Sequence, residues 1–436
     1  MSQERCFDAV DYEAFTRDVL ALRDELDAGL GPADLAHLRK IALWGRFCAA
    51  LGYATAWLFP NPIAALLISQ GMVVRWTMMM HHVGHKGYDR VPGAPPHLNA
   101  RRFARGWRRY LDFLDWLHPD AWNHEHNTLH HYHTGEMLDP DLVELNFDWL
   151  RGSRLPRALK YLVVAAGALT WKWSYYVPRT LRSFHFARLR RAGLTETEPA
   201  RMTADERRGL APARDLWNPF SPIGRDLWLK CLLPHATVRF ALIPALFLPL
   251  GGWAALSVWL TSLMAEVFTN VYTFIIIVPN HAGDDLYRFN TPISDRAELY
   301  VRGVIGSVNY RTGGDLNDFL HGWLNYQIEH HVWPDMSMLQ YQKAQPKLKA
   351  ICDRYEIPYV QDGVFSRLLH LVRIMVGDET MQWAVTMPRD ERRESRHPQT
   401  CRSGIQTPTN LSVGDPPESR HPQTCRSGDP PGRSAE

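Results

Sequence analysis

Cysteine is scarce and unpatterned. The 436-residue chain has six (Cys6, Cys48, Cys231, Cys352, Cys401 and Cys425), with no CxxC pair among them. That excludes a cysteine zinc finger or a disulfide framework and fits a reducing compartment. Charge of one sign is also lacking: the net charge is only +3, too little to imply nucleic acid as a partner. The opening MSQERCFDAVDYEAF is acidic and polar, with no basic segment leading into an apolar run. A secretory signal is therefore not expected.

What is abundant is histidine, and it is clustered. Half of the 20 histidines fall between His81 and His133. Three segments stand out: HHVGH from His81 to His85, HNTLHH from His126 to His131, and QIEHH from Gln327 to His331. Neutral imidazole is the commonest protein metal ligand, and core packing does not need this density. On an α-helix, residues four apart share a face. His81 with His85, and His126 with His130, can each reach one metal. His131 is then turned about 100° away, toward a second metal, and His330-His331 repeats the device. A buried polynuclear metal site follows. Imidazole ligands suit iron, copper, zinc or nickel alike.

Mean hydropathy is slightly negative, but the average hides long apolar runs. Ile41 to Phe59 is broken only by Arg46, and Ile63 to Met80 by Gln70 and Arg75, with Pro60-Asn61-Pro62 between them. Phe240 to Val278 is longer still, interrupted at Pro249 to Gly252 and by Glu266. A membrane span needs about 20 residues, so these runs read as two transmembrane hairpins. Trp44, Trp57, Trp253 and Trp259 fall near span ends, where interfacial aromatics belong. Arg75 reads as snorkelling to the interface or touching an acidic head group.

Residues 81–158 carry many arginines, from Arg101 to Arg157, so this block is expected to be cytoplasmic. Both termini are then cytoplasmic as well. Tyr161 to Val177 is apolar at first and then turns aromatic and basic. Three histidine clusters that share a site must share a side, so this segment reads as interfacial or re-entrant. The expected fold is all-α: an integral membrane bundle of two hairpins under a cytoplasmic helical cap that carries the metal site. Residues 1–40 read as an N-terminal helical segment, 41–390 as the main domain, and 391–436 as a disordered tail. In that tail ESRHPQTCRSG occurs twice, from Glu394 and from Glu418, with nothing apolar to bury.

The clusters lie just past the ends of apolar runs: Met80 leads directly into His81, and His281 follows soon after Val278. The three boxes, in order and with this hydrophobic punctuation, resemble those of the membrane fatty acid desaturase family. The likeness is carried by His81-x-x-x-His85, His126-x-x-x-His130-His131 and Gln327-x-x-His330-His331. Val332-Trp333-Pro334, Asp139-Pro140-Asp141-Leu142 and Pro279-Asn280-His281-Ala282-Gly283 add to it. It spans roughly residues 40–360.

The resemblance implies two iron ions held by His81, His85, His126, His130, His131, His281, His330 and His331, with dioxygen as co-substrate. Gln327 stands where some members have histidine. It is expected behind the ligands, holding a water or orienting His331, while Glu329, Asp139 and Asp141 are expected to hydrogen-bond the outer nitrogens of ligand histidines. For Asp139 and Asp141 a helix-capping role fits equally well. His82, His124, His133 and His321 are read as neighbours rather than ligands. His97, His118, His185, His235 and His370 have no partner at ligand spacing.

The implied reaction forms a double bond in a fatty acyl lipid or acyl thioester. No HPGG motif marks a fused b-type cytochrome, so electrons are expected from a separate ferredoxin or cytochrome with its reductase. A hydroxylase or ketolase of the same superfamily, acting on a lipid, alkane or carotenoid, is the alternative. A membrane metal transporter is the alternative of another class, but its ligands belong near the bilayer midplane.

Overall fold

The computed structural model describes residues 4–7, 10–193 and 213–385. The expected disordered tail lies outside them. The described chain is mostly helical. Helix α1 (Tyr12–Ala28) begins at Asp11, whose carboxylate accepts from the Ala14 amide at 3.0 Å. Gly29 to Gly31 break the chain, Pro32 opens α2 (Pro32–Ala56), and residue 40 falls inside that helix. Proline suits a helix's first turn, where its missing N–H costs nothing.

Asn61 caps the next helix, α3 (Pro62–Gly84), by accepting from the amides of Ile63 and Ala64 at 2.9 and 3.3 Å. Small residues let α2 and α3 approach closely. A β-carbon on Gly45 would stand 2.7 Å from Val74, and one on Gly71 2.8 Å from the Ala49 side chain. Such small-residue seams bring apolar helices together where no hydrophobic drive exists.

Among the described residues three helices are long and apolar enough to cross a membrane: α3, Pro222–Leu250 and Gly252–His281. The last two meet at Gly251, whose φ of 106° is open to glycine alone at little cost. The two expected hairpins called for four spans. α2 is not one of the three, because its apolar stretch shares a helix with Asp34, Arg39, Lys40 and Arg46. Tyr161 to Val177 is not one continuous helix. It divides into Arg157–Ala168 and a π-helical turn at Lys172–Tyr176 that runs on into Val177–Arg191. Large apolar side chains stand exposed along these elements, among them Leu43, Phe47, Ile63, Leu66, Leu246 and Trp253.

The helices that close over the metal end are α1, Arg296–Ile305, Gln327–Val332, Met338–Arg354 and Val364–Val376. Arg23 on α1 ties this layer together by binding Asp335 at 2.8 Å and Asp27 at 2.9 Å. One feature departs from an all-helical fold. Glu4–Cys6, Tyr287–Phe289 and Gln382–Val385 form a small parallel sheet, with the last strand in the centre.

Candidate metal centre

The local helix geometry differs from the α-helix expected around the first two boxes. Val74–Met80 and Asn123–His130 are π-helical, so the His81 amide donates to Trp76 and the His131 amide to His126, five residues back. π-turns of this kind occur often at functional sites. With the wider turn, residues four and five apart straddle one face. His130 and His131 therefore both flank His126, with ring centroids 5.3 and 4.8 Å from it. The α-helical repeat expected to carry His131 toward a second metal is therefore replaced by a π-turn, which still brings its ring 4.4 Å from His331 of the second nest.

All eight candidate ligands converge. His81, His85, His126 and His330 form one nest, and His130, His281 and His331 a second. Within each nest the candidate ligand atoms lie within 4.8 Å of one another. His131 stands between the nests, 4.5 Å from the His85 ring, 4.7 Å from His330 and 4.4 Å from His331.

Outer partners orient the rings. His130 Nδ1 donates to Asp139 at 2.8 Å, and His281 Nδ1 to the Gly306 carbonyl at 3.1 Å. The Thr134 hydroxyl donates to the His130 carbonyl, so it accepts from His331 Nδ1 at 3.1 Å. Tyr341 donates to the Trp333 carbonyl and accepts from His330 Nδ1 at 3.2 Å. Each contact orients its ring, and at His330 and His331 it fixes the proton on Nδ1 and leaves a bare Nε2 lone pair, the arrangement a metal ligand needs.

Buried donors and acceptors are nearly always satisfied. Here Nε2 of His85, His131, His330 and His331 is buried without a hydrogen-bond partner. His81 Nε2 and His126 Nε2 are 3.1 Å apart. Burial holds His85, His126, His131, His330 and His331 well below the usual imidazole range, so their rings are neutral. His130 is the exception. Burial opposes its charge, but the Asp139 carboxylate outweighs that and lifts the ring to about 9. Orphaned neutral nitrogens facing one another fit a pair of imidazole-bound metal ions.

The four residues expected behind the ligands divide. Asp139 holds His130 and also accepts from the amides of Gly135 and Asp141. The Asp141 carboxylate is 3.8 Å from His130 Nδ1 and can join His126 and His130 around a cation. Gln327 does not orient His331, whose Nδ1 is taken by Thr134. Its side chain meets His281 Nε2 at 2.9 Å and accepts from Asn280 at 3.1 Å. Glu329 touches no histidine ring. Asn309 and Tyr359 donate to its two oxygens at 2.8 and 2.7 Å, because the helix turns it away from the nest. Burial lifts Glu329 to about 7.

Of the set-aside histidines, His82 packs against the His81 ring, with centroids 4.9 Å apart, but its Nδ1 is engaged outside the nest. His82 donates to the Met78 carbonyl, His133 contacts Glu136, and His321 donates to the Asn317 carbonyl. His370, without a partner at ligand spacing, is 2.7 Å from Asp284 across the fold. Sequence reasoning missed Thr134, Tyr341 and Gly306, whose roles are set by tertiary packing. It also missed Glu125, whose fully buried carboxylate has no hydrogen-bond partner. An acid directly before a histidine box was the available signal.

A cavity of about 250 Å³ reaches both nests through His81, His126, His130 and His281. Its wall is otherwise largely apolar: Trp76, Trp122, Phe147, Val164, Trp171 and Phe274 contribute to it. It reaches the surface beside exposed Trp149 and Gly167.

The sequence pattern of the family described as fatty acid desaturase matches residues 55–363. An NADPH-dependent stearoyl-CoA 9-desaturase of Mycobacterium tuberculosis is 23% identical over 361 residues, 80% of this chain and 74% of its own. A Delta(8)-fatty-acid desaturase of Euglena gracilis is 27% identical over 141 residues, 32% of each chain. An acyl-lipid (9-3)-desaturase of Physcomitrium patens is 28% identical over 139 residues, 32% of this chain and 24% of its own. The family match covers most of the chain and contains all three histidine boxes, so the chain belongs to the fatty acid desaturase family, oxidoreductases that act on fatty acids.

Proposed function

We propose that this enzyme introduces a double bond into a fatty acyl chain at a centre of two iron ions. One observation carries the reading: two adjoining nests of inward-facing imidazoles border a narrow, largely apolar cavity. His81, His85, His126 and His330 would hold one iron, and His130, His281 and His331 the other, with His131 between them. Bound iron would supply the oxidising chemistry that removes two hydrogens from neighbouring methylenes, with dioxygen and two electrons consumed and water formed.

The chain's own residues do the rest. Trp122, Trp171 and Phe274 exclude water and hold the methylenes by dispersion, since an unactivated chain offers nothing else to grip. Asp139, Thr134, Tyr341 and the Gly306 carbonyl keep the rings from turning. Gln327, beside His281, holds a polar contact where some relatives have a further imidazole.

The membrane arrangement belongs to the same proposal. α2 and α3 make one hairpin, Pro222–Leu250 and Gly252–His281 the other, and the metal end faces the cytoplasm with both termini. Residues 41–390 form the catalytic domain, and electrons arrive from a separate ferredoxin or b-type cytochrome.

The test is expression with a suitable reductase in a host fed a deuterated saturated fatty acid. Desaturation removes two deuteriums and adds no oxygen. A product that loses one deuterium and gains one oxygen would replace this reading with hydroxylation.

A further inference from the structure

Two arginines in the apolar helices take no part in the metal centre. Arg46 is on α2 and Arg75 is in the π-helical stretch Val74–Met80 of α3. The two helices touch at the preceding residues, Gly45 against Val74. That contact sets Arg46 and Arg75 near one another, and both side chains are exposed. Among the described residues neither makes a hydrogen bond or an ion pair.

Nearby charge does not relieve them. Arg75 feels the repulsion of Arg46 and Arg239, and the attraction of Asp112 and Asp115. Each acid in this neighbourhood already has its own cation. Arg108 holds Asp112 at 2.8 and 3.0 Å, and Lys172 holds Asp115 at 2.7 Å. Glu266 takes His235 at 2.8 Å and Arg239 at 3.3 Å. Arg46 and Arg75 are left as two positive charges with no anion of their own.

A charged group on a lipid-facing helix is costly unless it reaches the interface or a counter-ion. Arg75 lies six residues before His81, roughly 9 Å along the helix axis. Exposed Leu43 and Phe47 flank Arg46, so the pair borders apolar surface as a head-group site does. Guanidinium forks match phosphate oxygens bidentately. We infer that Arg46 and Arg75 together bind the phosphate of an anionic phospholipid in the leaflet on the metal side. The inference uses α3 as a membrane span and is independent of the reaction catalysed. Because Arg75 sits in the π-helical turn that delivers His81, the bound lipid also braces the first histidine box.

The test uses the full chain in neutral detergent, with phosphatidylglycerol and inorganic phosphate as probes and native mass spectrometry as the readout. The wild type should retain phosphatidylglycerol. R46Q/R75Q should retain it at least about tenfold more weakly, having lost two charge-assisted contacts. R101Q/R102Q, altered at exposed arginines elsewhere, should match the wild type. Equal retention by R46Q/R75Q overturns the site. Displacement of the lipid by inorganic phosphate at similar concentration overturns the lipid assignment in favour of a soluble phosphate. Should R46Q/R75Q lose its helix content, R46K/R75K serves instead: it keeps both charges but lacks the fork, so retention must still weaken.

Discussion

His130 and Asp139 form a buried pair, with Nδ1 of the ring 2.8 Å from a carboxylate oxygen and both side chains 1% exposed. The same carboxylate accepts from two backbone amides, so its position is fixed independently of the histidine. A rigid acceptor orients the ring and makes Nε2 a stronger donor to a metal. Asp139→Ala should weaken iron retention about 10–100-fold, in the range found for such supporting groups. Asp139→Asn keeps an acceptor and should lose less. Iron content after dialysis against a graded chelator series measures both.

His118 gives the protein an acid-sensitive joint. Its neutral Nδ1 accepts from the Asp120 amide at 3.1 Å and caps the helix that leads into the second box. Burial, then Arg109 and Lys230, lower the ring to about 3. The folded value lies below the ordinary 6.5, so the unfolded chain binds more protons between the two. Stability should therefore fall as pH drops below about 6.5 and level off near 3. His118→Asn supplies a cap that does not titrate there. Thermal midpoints at pH 7.5 and 5 should fall further apart for the wild type than for the variant.

Lys172 and Asp115 pair at 2.7 Å with side chains 1% and 5% exposed, and the ammonium also lies 4.4 Å from the Trp76 ring centroid. Lys172→Ala strands a buried carboxylate and should cost about 3–5 kcal/mol. Replacing both partners, as Lys172→Met with Asp115→Leu, should cost much less, because no charge is left unpaired. Denaturation midpoints of the two variants, compared side by side, decide it.

Gly167 is exposed, lines the cavity, and has open space where a side chain would begin. Gly167→Phe should leave stability within about 0.5 kcal/mol, as surface changes usually do, and leave iron content unchanged. It should still raise KM for long acyl substrates by narrowing the way in. Unchanged KM and kcat would move the entrance elsewhere.

How far the sequence revealed all this varies by residue. His81, His85, His126, His130, His131, His330 and His331 announce themselves by number and spacing, and the structure gathers them. His281 stands alone in the sequence and emerges only by family resemblance. The π-turns at Val74–Met80 and Asn123–His130 leave no pattern in side-chain chemistry, so the α-helical geometry expected around the first two boxes is not what the structure shows, although His131 does reach toward the second nest. Thr134 and Tyr341 are chosen by packing between distant segments, and Glu329 is near a box in sequence yet faces Tyr359 in space. The long apolar helices were legible from composition. The small parallel sheet was not, since its three strands of three or four residues come from widely separated parts of the chain, Glu4–Cys6, Tyr287–Phe289 and Gln382–Val385.

The central claim is that one chain builds two adjoining iron sites from these histidines. Metal analysis of anaerobically purified full-length protein, wild type beside His281→Ala, tests it most directly. The account predicts about two irons per chain in the wild type and about one after His281→Ala, since only the second nest loses a ligand. A single zinc with no iron in the wild type, or full iron retention after His281→Ala, would contradict it.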